Sequence, residues 1–454
     1  MLDMEKVYQY IEAHQEEYIA LVRKFCMQPS IATHHPDVDN MKEIVKQAVR
    51  DFVQIEPQEI PTEGNSIIYG EIPGENGNLT LAFYNHYDVQ PPEPLDAWKF
   101  DPYSATIEDG ILYSRGAADN KDALACRMCA IDAILKTHGK LPLNVKLVYE
   151  GEEEIGSPSM AGFVAANPDK IQADAYVWEG GDKVIGGPLE VTLGVKGLCY
   201  VELICHGAKM DAHSANAAVI ENPAWRLVWA LSTIKDENEN ILIDGFYDNV
   251  RPVTQAEMDA LDLFHEDENS LREKLGVSKY LKGLTGKEMY KKLYYEPTAN
   301  ICGLVSGYTA EGSKTVLPSK AVAKMDFRLV PNQTPEEIVS LLRKHLDKHG
   351  FQDIEIVVHS GQPPFRSPVD SDFAKAVIAC AEEVYGLPAN VYVTSAGTSP
   401  LDKICGKANI PAVMIGPGNP ESQVHAPNEH IYLKDFVEGI KMTAAVMNKF
   451  AQTK

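Results

Sequence analysis

The chain has 454 residues with a net charge of −23, 44% apolar and 24% charged side chains. That length exceeds what one hydrophobic core organises, so two soluble domains are expected, and the acidity excludes a basic nucleic-acid or anionic-membrane surface. No apolar run reaches the roughly 18 residues of a membrane span, and the eight cysteines are scattered as reduced thiols of a cytoplasmic protein would be. The pattern from Met1 to Phe25 predicts an amphipathic helix with charges throughout, not a signal peptide. A loop with His34, His35 and Pro36, read as surface, leads to a second helix from about Asn40 to Phe52. Strands are predicted at Ile67–Ile72 and Leu79–Tyr84, split by the turn-rich run from Pro73 to Gly77. The second runs into Asn85-His86-Tyr87-Asp88.

A proline-rich segment follows, then Ser114 to Lys121, which opens an alanine-rich helix at 123–135. Cys126 and Cys129 form a C-x-x-C there, read as buried helix-face residues rather than a redox pair. Leu143, Val145, Leu147 and Tyr149 alternate with Asn144, Lys146 and Val148 as in a half-buried strand. It stops at Gly151 and three adjacent carboxylates, Glu152, Glu153 and Glu154. Carboxylates that close repel one another, so either a cation offsets the repulsion or water solvates the loop. Ala175–Trp178 is another short apolar run, ending at Glu179. Apolar or turn segments thus end four times in a potential metal ligand: His86, Asp119, Glu153/Glu154 and Glu179. Strands alternating with helices indicate a largely parallel sheet, whose sites lie at the carboxyl ends of its strands.

From about Val195 the pattern changes. Strands at 200–205, 299–305, 321–329 and 353–358, with helices at 222–233 and 334–349, read β-α-β-β-α-β, the split ferredoxin-like order, apart from an insertion at 235–295. Thr334 is the expected N-cap of the second helix. The expected fold is α/β, a mixed and mostly parallel sheet with helices on both faces, formed by 1–193 and 362–454. An α+β ferredoxin-like domain, 194–361, is inserted into it. The α/β pattern resumes with a helix from Ser371 to Tyr385, a strand from Asn390 to Val393, a glycine-containing loop at 395–399, a strand from Pro411 to Ile415 and a closing helix from Leu433.

His86, Asp119, Glu154, Glu179 and His425 form a mixed imidazole and carboxylate set suited to zinc, cobalt or manganese, with Asp119 the natural bridge between two ions. Around them stand N-H-Y-D-V-Q-P at 85–91, S-R-G-A-A-D-N-K at 114–121, E-G-E-E-E-I-G-S at 150–157, Asp211-Ala212-His213-Ser214, F-R-L-V-P at 327–331 and V-H-A-P-N-E at 424–429. In these motifs the chain resembles the M20 metallopeptidases, which include carnosine-type dipeptidases, glutamate carboxypeptidase, aminoacylase and succinyl-diaminopimelate desuccinylase.

The resemblance implies that His86, Asp119 and Glu179 hold one ion and Asp119, Glu154 and His425 the other. It implies that Asp88 orients the His86 imidazole and that Glu153 is the general base on a metal-bridging water. It makes 194–361 a lid and dimerisation domain, with His213 reaching the partner subunit's site in a homodimer to stabilise the oxyanion. Arg328 matches the arginine that grips the substrate carboxylate, and Asn300, Gly397 and Thr398 match substrate contacts more loosely. The sequence departs from the family pattern at Asp122, where many members have glycine, and at Glu179, which replaces the commoner aspartate. A cis peptide at Asp119-Asn120 is also implied. The expected activity is di-metal hydrolysis of an amide bond in small peptides by a dipeptidase or carboxypeptidase. The alternatives are an N-acyl-amino-acid deacylase of the acetylornithine or succinyl-diaminopimelate type with the same metal site, and a binding module with a dead site.

Overall fold

The computed structural model describes residues 2–263 and 268–453. Two helices, α1 (Met4–Ala13) and α2 (Gln15–Met27), replace the single one expected from Met1 to Phe25, and Met1 lies outside the described residues. The break falls at His14, whose Nδ1 lies 2.9 Å from the Tyr10 carbonyl and whose ring stacks on Tyr10. Helix α3 (His35–Ala48) starts ahead of the expected Asn40, because Pro36 in its first turn has a helical φ and no N–H to satisfy.

The chain continues through β1 (Gln58–Ile60), β2 (Ile67–Ile72), β3 (Gly74–His86), α4 (Asp122–His138), β4 (Leu141–Glu150), β5 (Ala175–Trp178), β6 (Glu190–Thr192) and β7 (Gly197–His206). Then come α5 (Pro223–Ile234), α6 (Gly286–Tyr295), β8 (Thr298–Ser306), β9 (Lys320–Leu329), α7 (Pro335–Lys348) and β10 (Glu355–Gln362). The chain closes with α8 (Asp372–Tyr385), β11 (Asn390–Tyr392), β12 (Ala412–Met414) and α9 (Leu433–Phe450). Part of the 235–295 insertion, 264–267, lies outside the described residues. The run from Pro73 to Gly77 is no turn: β3 begins at Gly74, and a register shift between Asn76 and Thr80 absorbs the irregularity. Gly74 is required there, since a Cβ would lie 2.1 Å from the Leu143 backbone.

Eight strands form a mixed sheet in the order β1-β2-β4-β3-β5-β12-β6-β11. Its centre is parallel, with His86 opposite Glu150, Phe83 opposite Val177 and Trp178 opposite Met414. The carboxyl ends of β3, β4, β5 and β12 therefore share one edge. The two-residue period of a strand divides its side chains between two cores. Leu81, Phe83, Val145 and Val177 pack with Leu124, Met128, Phe436 and Ile440 of α4 and α9. Ala82, Tyr84, Tyr176 and Trp178 pack on the other face with Phe163, Leu401 and Ile404. Each large apolar side chain so buried contributes about 1.5–3 kcal/mol, which fixes the register and with it the edge.

A second sheet, β8-β9-β7-β10, is antiparallel throughout, the ferredoxin-like order expected. Helices α5 and α7 cover one face through Leu227, Ala230, Ile338, Leu342 and Leu346, which meet Val201, Leu203, Ala323 and Met325. The chain passes between the sheets at Gly194–Val195 and Phe365–Arg366, which pair with each other antiparallel. As expected, Thr334 caps α7, its hydroxyl accepting the Glu337 N–H at 3.2 Å. Replacing Thr334 by alanine should therefore lower stability to urea by about 1 kcal/mol, with metal affinity unchanged. An equal loss of metal affinity would mean that the second sheet supports the cluster directly.

Candidate metal and catalytic centre

The carboxyl edge of the large sheet gathers the residues singled out by the sequence. His86, the last residue of β3, is fully buried. Its Nδ1 lies 3.0 Å from the Asp88 carbonyl, which can only accept, so Nδ1 carries a hydrogen and Nε2 faces the cluster. There Nε2 meets Asp119 Oδ1 at 3.0 Å and Glu179 Oε2 at 3.6 Å. The other oxygen of Asp119, Oδ2, lies 3.0 Å from His425 Nε2, which also meets Glu154 Oε2 at 3.1 Å. One carboxylate thus stands between two imidazoles. The donor atoms of His86, Glu153 and Glu179 lie within 4.8 Å of one another, as do those of Asp119, Glu154 and His425.

The three consecutive glutamates divide their tasks. Glu152 turns away and accepts the Asn65 N–H at 3.2 Å. The N–H groups of Glu153 and Glu154 donate to the Asp88 carboxylate at 3.2 and 3.0 Å, so Asp88 fixes the turn carrying both. Gln90 donates to Glu154 Oε2 at 3.0 Å. Glu179, just past β5, accepts from Asn120 at 3.2 Å and from Trp178 and Ser399 at 3.3 Å each.

Asp119 sits in the turn before α4, and its peptide bond to Asn120 is cis. Asp122 accepts the Ala123 N–H at the start of that helix, so the residue that departs from the family pattern begins α4 without disturbing it. The turn is held by a residue the sequence reading gave no role. Glu429, fully buried, accepts the N–H groups of Gly116, Ala118 and Asp119 at 2.8, 2.9 and 3.0 Å, and Arg115 Nη1 at 2.6 Å. Both Arg115 and Glu429 stand within the motifs at 114–121 and 424–429, and that membership was the signal available in the sequence.

Burial would depress the His86 imidazole, but Glu179, Asp119 and Asp88 reverse this and hold it well above its ordinary value. Hydrogen bonds from Asp119 and Glu154 push His425 up to about 10. Burial pushes Glu153 up to about 8; His86 opposes this, while the charges of Asp119 and Glu154 add to it. Glu179 is raised well above its usual range by burial and then by Glu153. Burial would raise Asp119, which is half-buried, yet the two histidines hold it below the usual carboxylate range. These directions mark a concentration of negative charge that protons would offset, and a pair of divalent cations fits the same donors.

None of the remaining expected residues makes a hydrogen bond or ion pair to the cluster among the described residues. Arg328 on β9 donates to Thr398 Oγ1 at 2.8 Å and faces Asp326 at 3.5 Å. Asn300 on β8 donates to Asp326 at 2.9 Å. Gly397 accepts the Lys196 N–H at 2.9 Å, so the 395–399 loop meets the chain where it enters the second sheet. His213 is exposed, accepts the Ala215 N–H at 3.1 Å, and has no hydrogen bond to the cluster among the described residues. Cys126 and Cys129 are buried free thiols in α4, and His34 and His35 are exposed, as expected.

Residues 82–449 match the profile of Peptidase family M20/M25/M40. Human Beta-Ala-His dipeptidase is 28% identical over 99% of this chain and 93% of its own length. The Cys-Gly metallodipeptidase of Schizosaccharomyces pombe is 27% identical over 99% of both chains. The crystal structure of an M20 family metallo-carboxypeptidase from Sulfolobus solfataricus superposes with a TM-score of 0.89 at 40% identity, covering 96% of this chain and 99% of that one.

Because protons and cations compete for the same donors, metal uptake should release protons, and affinity should fall by up to about tenfold per pH unit for each proton displaced as pH drops from 8 to 6. Calorimetry in buffers of different ionisation heat reads that release directly, and pH-independent affinity would contradict it. Glu429→Gln, which leaves Arg115 buried and unpaired, should cost about 3 kcal/mol in chemical denaturation and weaken metal retention as well.

Proposed function

The chain belongs to peptidase family M20/M25/M40, and from that membership we propose that it is a dipeptidase with two zinc ions per subunit, working as a homodimer in the cytoplasm. The observation that carries this reading is the Asp119 carboxylate set between His86 and His425, with Glu153 and Glu154 beside it. We assign His86, Asp119 and Glu179 to one ion and Asp119, Glu154 and His425 to the other; the same donors would also accept manganese or cobalt. When bound, such ions act as Lewis acids that polarise the scissile carbonyl and acidify water.

Glu153 takes the proton of the attacking water and delivers it to the leaving nitrogen. Its N–H, pinned by Asp88, keeps its carboxylate beside that of Glu154, so one stays free for proton transfer while its neighbour is committed to an ion. Arg328 offers a planar fork to the substrate carboxylate. Thr398 steadies that fork, Asn300 holds the Asp326 carboxylate beside it, and Gly397 lines the approach.

Residues 194–361 act as a lid on the catalytic part formed by 1–193 and 362–454; their separate core and paired crossing strands support this. Homodimer formation through the lid is supported by Trp225 and Trp229 on α5, 60% and 52% exposed, and by Leu304 and Val305 on the edge strand β8, 53% and 59% exposed. In the dimer, His213 serves the other subunit's site by donating to the oxyanion; its exposure, with no hydrogen bond to its own cluster among the described residues, supports this. Eight free cysteines support a reducing compartment, and among the described residues no helix is long and apolar enough to cross a membrane. Relatives named for dipeptidase and carboxypeptidase activity support small peptides over N-acyl amino acids as substrates.

Panels of free dipeptides and of N-acyl amino acids, assayed with and without a chelator, test the reading. Chelator-sensitive release of amino acids from the dipeptides is expected, and release mainly from the acylated panel would overturn it. Glu153→Gln should lower kcat by about 10²–10⁴-fold with metal content unchanged. Arg328→Lys should raise KM about tenfold through loss of the bidentate fork, with kcat largely kept.

A further inference from the structure

Two adjacent residues of the 395–399 loop, Thr398 and Ser399, reach in different directions. Thr398 Oγ1 accepts Arg328 Nη1 of the second sheet at 2.8 Å. Ser399 is buried, and its hydroxyl donates to Glu179 Oε1 at 3.3 Å at the carboxyl edge of the large sheet. A single peptide unit therefore separates the contact to the arginine assigned to the substrate carboxylate from the contact to a residue assigned to an ion. That unit is stiff for a reason visible in the sequence. Ser399 precedes Pro400, whose ring disfavours helical backbone at Ser399 and biases it to an extended form. Upstream, the Ser395 and Gly397 carbonyls accept the Lys196 N–H at 3.2 and 2.9 Å, which anchors the loop to the chain where it enters the second sheet.

The Ser399 hydroxyl orients Glu179. It accepts the Trp178 Nε1 hydrogen at 2.9 Å, and the fully buried Trp178 ring is itself fixed by stacking on Tyr84 at 3.7 Å. A hydroxyl that accepts one bond still has its own hydrogen to donate, and Glu179 Oε1 takes it. Oε1 is thereby tethered, while Oε2 accepts from Asn120 at 3.2 Å and faces His86 Nε2 at 3.6 Å. One oxygen of Glu179 is committed to the protein, and the other is turned to the ion position. A glutamate side chain has several torsions, each free to turn unless a neighbour fixes it, so the aim of Oε2 depends on what holds Oε1.

We propose that Ser399 is a positioning residue for Glu179, and that Thr398 and Ser399 together couple the hold on Arg328 to the affinity of the ion at His86, Asp119 and Glu179. This rests on the ion and carboxylate assignments above and adds a linkage between them. With Arg328 engaged, Thr398 is held from the second sheet, Ser399 stays against Trp178, and Glu179 Oε2 stays aimed at His86. Loss of the Arg328 contact releases Thr398, and the Glu179 carboxylate gains freedom that ion binding must then remove. Linkage is reciprocal: a substrate carboxylate that settles Arg328 tightens this ion, and the ion in turn favours the grip on that carboxylate. The other ion is outside the link, because Glu154 takes its hydrogen bond from Gln90 instead.

The test is a double-mutant cycle on the full chain, read as zinc affinity by competition with a chromophoric chelator. Ser399→Ala should weaken one of the two ions by about 10–100-fold, and Ser399→Thr, which keeps a hydroxyl, should restore most of that loss. Arg328→Met should weaken the same ion by about fivefold or more. Removing a positive charge would by itself favour a cation, so a loss there is the signature of the link. Thr398→Val, which breaks the link without changing charge, should match it. Ser399→Ala combined with Arg328→Met should bind zinc no more weakly than Ser399→Ala alone. Additive losses, or undiminished zinc affinity in Arg328→Met, would overturn the coupling. Undiminished affinity in Ser399→Ala, or a loss that Ser399→Thr does not restore, would overturn the positioning role. The KM for a dipeptide at saturating metal keeps the failures apart. A raised KM with unchanged zinc affinity in Arg328→Met defeats the coupling and leaves the carboxylate assignment standing, whereas an unchanged KM defeats that assignment.

Discussion

Two imidazoles that reach the site from opposite ends of the chain, His86 and His425, face the two oxygens of a single carboxylate. That arrangement needs the turn that carries the carboxylate to be fixed and the surrounding negative charge to be offset. Asp119 meets the first condition because the turn that carries it is fastened by four donors to the buried Glu429. Arg115 balances the Glu429 charge, so the support is itself an ion pair removed from water. The second condition falls to protons or to cations. Burial and neighbouring carboxylates hold Glu153 and Glu179 up, and the carboxylates hold the two histidines up, so the cluster is one of concentrated negative charge.

The parallel sheet makes this convergence possible. Its two cores fix strand register, register fixes which residues lie at the carboxyl edge, and the edge is where His86, Glu179 and the glutamate turn emerge. Asp88 illustrates the economy of the site. One carboxylate lies beside the His86 ring and fixes the turn of Glu153 and Glu154, so moving it would disturb both ion positions and the proposed base together. The second sheet brings Arg328 to Thr398 of the 395–399 loop.

Much of this was legible in the sequence because the signals were local. Apolar runs ending in His86 or Glu179 marked strand ends, and Asn222, Thr334 and Ser371 marked helix starts that the structure keeps. The β-α-β-β-α-β order needed only periodicity and turn residues. What escaped depends on partners distant in sequence. The role of Glu429 requires a turn some three hundred residues away. Other misses were physical competition at short range. The break between α1 and α2 comes from the His14 ring bonding the Tyr10 carbonyl, not from a helix-breaking residue. The run from Pro73 to Gly77 has the composition of a turn but is drawn into β3 by pairing with β4.

The central claim is that Asp119 joins two ion sites into one centre. Counting metal per chain by elemental analysis in Asp119→Asn, His86→Ala and His425→Ala tests it most directly. Two equivalents are expected in the wild type, one in either histidine variant and close to none in Asp119→Asn. Two equivalents retained by Asp119→Asn would contradict it.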